Sequence, residues 1–105
     1  MIYGLKETVV TKIQQILSSY PEVHNAILYG SRAIGNYKPG SDIDLTLEGS
    51  ALTLKQLNAI ENELDDLLLP YELDLSIYHQ IDNPDLQEHI ERVGVTFYTK
   101  ADIVT

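Results

Sequence analysis

Ile27 to Glu48 reads ILYGSRAIGNYKPGSDIDLTLE. An apolar run ends at Gly30-Ser31-Arg32, a turn follows at Pro39-Gly40, and a second apolar run then opens with Asp42 and Asp44. From Asp42 to Glu48 the letters alternate, with Ile43, Leu45 and Leu47 on one side and Asp42, Asp44, Thr46 and Glu48 on the other. Period-two alternation marks a strand with one buried face, so both aspartates point the same way. A rise of about 3.3 Å per residue sets them about 7 Å apart, a spacing that suits carboxylates converging on one hard cation. Mg²⁺ binds through one or two carboxylates, keeps waters and takes substrate phosphates as its remaining ligands.

The other half of the segment complements those acids. Gly30 allows close backbone approach, and a helical turn over Ser31 to Asn36, which Ser31 is placed to cap, would aim free N–H groups at an anion. Ser31 adds a hydroxyl, and Arg32 adds a fork that matches phosphate oxygens. An anion cradle beside a cation site suits a nucleoside triphosphate with Mg²⁺. Two other motifs fail on the letters. A P-loop needs Gly-Lys-Ser/Thr at its end, but Asn36 and Tyr37 follow Gly35. An EF-hand starting at Asp42 needs an acid or amide and then glycine where Thr46 and Leu47 stand.

Outward from this segment the pattern alternates between helix and strand. Leu5, Val9, Ile13, Ile16, Leu17 and Tyr20 recur at helical spacing, and Pro21 ends the run. Val23 to Tyr29 predicts a strand closed by Gly30. Thr53 to Leu68 predicts an amphipathic helix with Thr53 as its cap and Pro70 as its stop. Tyr71 to Tyr78 alternates again, leaving Glu72, Asp74, Ser76 and Tyr78 on the polar face. Pro84 to Val93 predicts a third long helix with Asp85 in its first turn, and Val95 to Tyr98 a short last strand before a tail expected to fray. This order predicts an α/β fold, a small mixed sheet of three to four strands covered by helices. A neighbouring strand would bring Asp74 to Asp42 and Asp44. Three carboxylates make a two-metal site possible, one that clamps the attacking and leaving oxygens of an in-line displacement.

Size and charge narrow the function. A chain of 105 residues is expected to form one domain spanning residues 1–105. Its 16 acids outweigh 7 bases for a net charge of −9, which makes it a poor stand-alone binder of DNA or RNA, although Arg32 and Lys38 both fall in the opening segment. Without cysteine there is no disulfide, thiolate nucleophile or thiolate metal site. No apolar run approaches the roughly 20 residues of a membrane span, and no basic patch followed by an apolar region opens the chain, so a cytoplasmic location is expected. His24, His79 and His89 share no ligand spacing and are expected to be structural or solvated. Tyr29 and Tyr71 are expected in the core, and Tyr37 and Tyr78 toward a nucleotide or partner.

Gly30-Ser31, ten residues, Asp42-x-Asp44, then Asp74 in an apolar strand closely resembles the signature of the DNA polymerase β-like nucleotidyltransferase superfamily. More narrowly, GSRAIGNYKPGSDIDL is similar to the minimal nucleotidyltransferases. The resemblance implies that Gly30 and Ser31 hold the triphosphate with help from Arg32, and that Asp42, Asp44 and Asp74 bind two Mg²⁺ ions. Asp74 would also help deprotonate an acceptor hydroxyl. It further implies ATP as substrate and a helical HEPN-type toxin as partner, with AMP passed to a tyrosine of that toxin and this chain as antitoxin. Larger members carry added acceptor-binding domains, whereas this chain stops soon after the strand of Asp74, which again implies a partner. Two other functions compete: a non-catalytic module that binds nucleotide or masks a partner, and a transferase acting on a small molecule.

Overall fold

The computed structural model describes residues 2–100. In chain order the elements are α1 (Glu7–Ser18), β1 (Asn25–Tyr29), the short α2 (Ser31–Ile34), β2 (Ile43–Glu48), α3 (Leu54–Asp65), β3 (Leu73–Ile77), a 3₁₀ turn (Tyr78–Gln80), α4 (Pro84–Val93) and β4 (Val95–Thr99). The expected order is therefore found; of the tail expected to fray after Tyr98, Thr99 instead belongs to β4 and the Lys100 N–H donates to the His24 carbonyl at 2.8 Å, while residues 101–105 lie outside the described residues. No helix among those residues is long and apolar enough to cross a membrane.

The helices start where side chains satisfy their free N–H groups. At α3 the Thr53 hydroxyl accepts from the Gln56 N–H at 3.3 Å, and the Gln56 side chain accepts from the Thr53 N–H at 3.0 Å, a reciprocal box. At α4 the Asn83 side chain accepts from the N–H groups of Asp85 and Leu86, and Pro84 fits the first turn, where an N–H would have no partner. α1 buries Ile13 and Leu17 as read from the sequence, with Val10 more deeply buried than the expected Val9, and α3 buries Leu57, Ile60 and Leu64. Tyr20, just past α1, donates to Glu63 of α3 and ties the two helices together at the surface.

The strands lie in the order β3-β2-β1-β4. β1 runs antiparallel to both β2 and β4, whereas β2 and β3 are parallel. Parallel neighbours need a crossover, and α3 supplies it. Ala26, Leu28, Ile43, Leu45, Leu47 and Ile77 face a core shared with α1 and α3. Burial of each such Leu or Ile side chain contributes about 1.5–3 kcal/mol.

The opposite face is polar. Register places Tyr29 beside Asp44, Asp44 beside Asp74, and Thr46 beside Ser76. Ser76 donates to the fully buried Thr46 hydroxyl at 2.9 Å, so the polar face is joined across β2 and β3. α4 returns over this face at β1, with His89 against Tyr29 and Gly94 against Ile27.

Several boundaries differ from expectation: β1 begins at Asn25 rather than Val23, α2 ends at Ile34 rather than Asn36, and α3 ends at Asp65 rather than Leu68. The strand expected at Tyr71–Tyr78 is shorter, because the chain enters the 3₁₀ turn at Tyr78. The cap of α2 is Gly30 itself, with Ser31 as the first helical residue and no side chain capping the turn. The backbone of Gly30 meets the steric demand there, and the Ser31 side chain takes no part in the cap.

Candidate active site

The polar face gathers the residues singled out from the sequence. Asp44 is the second residue of β2 in an unbroken parallel ladder with β3, directly beside Asp74. Adjacent strands are about 4.8 Å apart, so side chains in register on one face share the same space. Asp42 stands just before β2, where the N–H of Ile43 donates to the Glu72 carbonyl at 2.9 Å and begins the pairing. Two-residue periodicity keeps Asp42 on the face of Asp44. Asp42 and Asp74 are exposed, while Asp44 is half-buried between them.

Gly30 brings the glycine-serine half of the motif onto these acids. It follows Tyr29, the cross-strand partner of Asp44, and turns back with φ +74° and ψ −155°. A Cβ on Gly30 would collide with the Asp44 carboxylate, so only glycine fits here without displacing that side chain. The turn then opens α2, whose first N–H groups have no carbonyl partners inside the helix. Acids and glycine turn are thus in direct contact.

Electrostatics mark Asp44 as the centre. Burial pushes its carboxyl above the ordinary range, the neighbouring charges of Asp74 and Asp42 push it further, and His89 acts in the opposite sense. Tyr29 is buried, but on this polar face beside Asp44 rather than in the core cluster shared with α1 and α3. Burial raises its pKa, a hydrogen bond with Ser76 opposes the shift, and Asp74 and Asp44 add to it.

The donor set suits a hard cation. All three acids offer oxygen, and their mutual repulsion is relieved by positive charge between them. Among the described residues no three acidic, histidine or cysteine side chains already enclose one point at ligand distance. Mg²⁺ does not require such a cage, since it keeps waters and completes its octahedron with phosphate oxygens.

Arg32 is placed differently from the expected phosphate contact. Its side chain is 1% exposed and turned inward. Nε donates to the Ser41 carbonyl at 3.1 Å, Nη1 to Tyr3 at 3.0 Å, and Nη2 to Ser41 at 2.8 Å and Pro39 at 3.2 Å. Tyr37 and Tyr71 stack on the guanidinium, with ring centres 5.2 and 4.9 Å away. Tyr37 therefore packs on Arg32, and Tyr78 donates to Glu91 of α4 at 3.0 Å.

His89 is the residue that sequence reasoning missed. Its ring meets Tyr29 edge-on, with centroids 6.2 Å apart and planes at 83°, on the side of the sheet that carries Asp44. Its position in the sequence, mid-helix between Glu88 and Ile90, suggested only a structural or solvated role. Only the return of α4 over β1 shows where it lies. His24 and His79 remain exposed.

The family described as polymerase beta, nucleotidyltransferase matches residues 11–103. The chain belongs to that nucleotidyltransferase family. Its open mixed sheet and covering helices are the family's polymerase β-like fold.

Among solved structures, the nucleotidyltransferase is similar to a chain of a toxin–antitoxin complex with AMP-PNP, at a TM-score of 0.69 and 20% identity over 91% of this chain and 75% of that one. It is also similar to a chain in the complex of a tri-AMPylated HEPN toxin with its MNT antitoxin from Shewanella oneidensis, at 0.68 and 17% over 91% and 74% of the two chains. A third similarity is to the toxin–antitoxin MntA-HepT, at 0.66 and 18% over 90% and 74%. At these identities the likeness establishes the fold. No curated protein matches the chain.

Proposed function

We propose that this nucleotidyltransferase acts as one unit of 105 residues in the cytoplasm, moving AMP from ATP, with Mg²⁺, onto a tyrosine hydroxyl of a helical HEPN-type toxin and silencing it as an antitoxin. The observation that carries the proposal is the register of Asp44 with Asp74 on the face where the Gly30 turn closes over Asp44. The partner and the nucleotide rest on the solved neighbours, which include an MNT antitoxin bound to a tri-AMPylated HEPN toxin and a toxin–antitoxin complex with AMP-PNP.

In this proposal Ser31 and the free N–H groups of the turn hold phosphate oxygens, and Gly30 leaves room for them. Asp42, Asp44 and Asp74 would hold the cations. Mg²⁺ supplies charge neutralisation at the triphosphate and a lower pKa for the attacking hydroxyl. Asp74, exposed like Asp42, would take the proton of an incoming acceptor. The acceptor oxygen forms a bond to the α-phosphorus, the bond to the bridging oxygen breaks, and pyrophosphate leaves with the electron pair. Catalysis is then mostly positioning and charge stabilisation. A protein hydroxyl also agrees with a net charge of −9, because such an acceptor does not need the basic surface that nucleic acid demands.

Incubating the chain and its HEPN partner with Mg²⁺ and ATP labelled at the α-phosphate tests the proposal. Label is expected on the partner's tyrosine, and Asp42→Ala is expected to reduce it by about 10³-fold or more. MgATP that binds without labelling the partner would favour a masking module, and label appearing on a small molecule would favour the other rival.

A further inference from the structure

A fully buried guanidinium without a carboxylate partner among the described residues calls for a reason. We infer that Arg32 is a positioning residue: by gathering the carbonyls of Tyr3, Pro39 and Ser41 beneath Tyr37 and Tyr71, it fixes the loop that carries Ser31 at one end and Asp42 at the other. The inference rests on the proposed nucleotide transfer for its catalytic consequence and on the structure alone for the brace.

Three of the four hydrogen bonds of the side chain end on this loop. Arg32 follows Ser31 directly, and two of its four hydrogen bonds end on the carbonyl of Ser41, the residue before Asp42. A third ends on Pro39 in the same loop. The intervening residues, Asn36 to Gly40, are exposed. Within the loop Ser41 is tied to Lys38 by two hydrogen bonds, from its N–H to the Lys38 carbonyl at 3.0 Å and from the Lys38 N–H to its hydroxyl at 2.8 Å. Asp42 is therefore held from one side by β2 pairing with β3, and from the other by a carbonyl fastened to Arg32.

The brace also reaches a segment outside the family match, which begins at residue 11. Ile2 and Leu5 exchange backbone hydrogen bonds of 2.9 and 2.8 Å around Tyr3 and Gly4, both at positive φ. That turn presents the Tyr3 carbonyl to Arg32. Gly4 packs so closely on the Tyr37 ring that a Cβ would enter it. The N-terminal turn, the aromatic pair and the catalytic loop thus close around one side chain.

Lysine cannot replace it. Arginine presents five donors in a planar fork that also stacks on aromatic faces, whereas lysine offers a compact point charge. A residue that bound phosphate mainly by charge would tolerate lysine far better than a brace spread over three carbonyls.

The test compares Arg32→Lys and Tyr37→Leu with the unaltered chain, in complex with its HEPN partner and well below the melting temperature. Arg32→Lys is expected to lower kcat by about 100-fold, the scale of a 1 Å misplacement, with KM for MgATP changed less than about threefold. Tyr37→Leu, which leaves Arg32 in place but removes half of its stack, is expected to lower kcat in the same sense by about tenfold. Amide hydrogen exchange at Lys38 and Ser41 should quicken in both variants. A raised KM with kcat retained in Arg32→Lys would make the residue a phosphate ligand and overturn the inference. So would a lower melting temperature with wild-type kcat in both variants. If the unaltered chain transfers nothing, the proposed function fails by itself, and exchange at Lys38 and Ser41 still decides the brace: faster exchange supports it and unchanged exchange overturns it.

Discussion

Asparagine in place of Asp44 is expected to abolish nucleotide transfer, by about 10³-fold or more, and at the same time to stabilise the chain at neutral pH in the absence of Mg²⁺. The two effects have one cause. Asp44 is half-buried between Asp42 and Asp74, and burial followed by those two charges raises its carboxyl above the ordinary range. The folded state then holds the proton more tightly than the unfolded chain does. That contribution to stability is fully present below the unfolded pKa and is lost as pH rises through the folded one. At neutral pH the ionised carboxylate is a burden on the fold, one that a cation relieves and asparagine removes. The gain is expected to reach about 1 kcal/mol, or roughly 4–8 °C in melting temperature for a domain of this size. Melting curves from pH 4 to 8 check the sign: the advantage of Asp44→Asn should grow with pH. Added Mg²⁺ should raise the melting temperature of the unaltered chain more than that of the variant. A variant that melts lower than the unaltered chain at every pH would show that Asp44 is a structural acid.

Gly30→Ala is the second large effect. Gly30 adopts φ +74° with ψ −155°, a region that L side chains enter at a cost of about 1–3 kcal/mol. The added methyl would also strike the Asp44 carboxylate. Asp44 can escape only by leaving the position it shares with Asp74. The variant should therefore melt lower and lose about 100-fold or more in kcat, a deficit that higher ATP does not recover. Transfer assays at saturating MgATP and thermal melts check both effects. Retained activity would show that the turn tolerates a side chain and that Asp44 works from elsewhere.

Much of this arrangement was legible in the sequence, because local periodicity carries it. Alternation from Asp42 to Glu48 and from Tyr71 to Tyr78 assigned the acids to the polar faces of two strands, and β3 pairs with β2 so that Asp44 meets Asp74. Helix limits followed from Pro21, Thr53, Pro70 and Pro84, residues whose backbone chemistry stops or starts a helix. What periodicity cannot show is which distant groups meet. The carbonyls around Arg32 come from positions 3, 39 and 41, and no side-chain pattern announces a carbonyl. Placed next to Gly30-Ser31, the arginine invited a phosphate role, while its donors are taken up by the backbone. His89 was likewise unreadable, because its neighbourhood depends on β4 adding to β1 and drawing α4 across the polar face. Tyr29 showed half its character: an apolar run predicted a core ring, but the register that sets its phenol beside Asp44 is a property of the sheet.

The central claim is that Asp42, Asp44 and Asp74 share cations with a triphosphate held at the Gly30-Ser31 turn. A crystal structure of the chain with Mn²⁺ and a non-hydrolysable ATP analogue tests it most directly, because the anomalous signal locates the ions independently of the protein. Ion peaks are expected bound by Asp42 and Asp44, with Asp74 on one of them and phosphate oxygens against Ser31. Ions and phosphates bound away from the face of Asp44, with these carboxylates left to water, would contradict it.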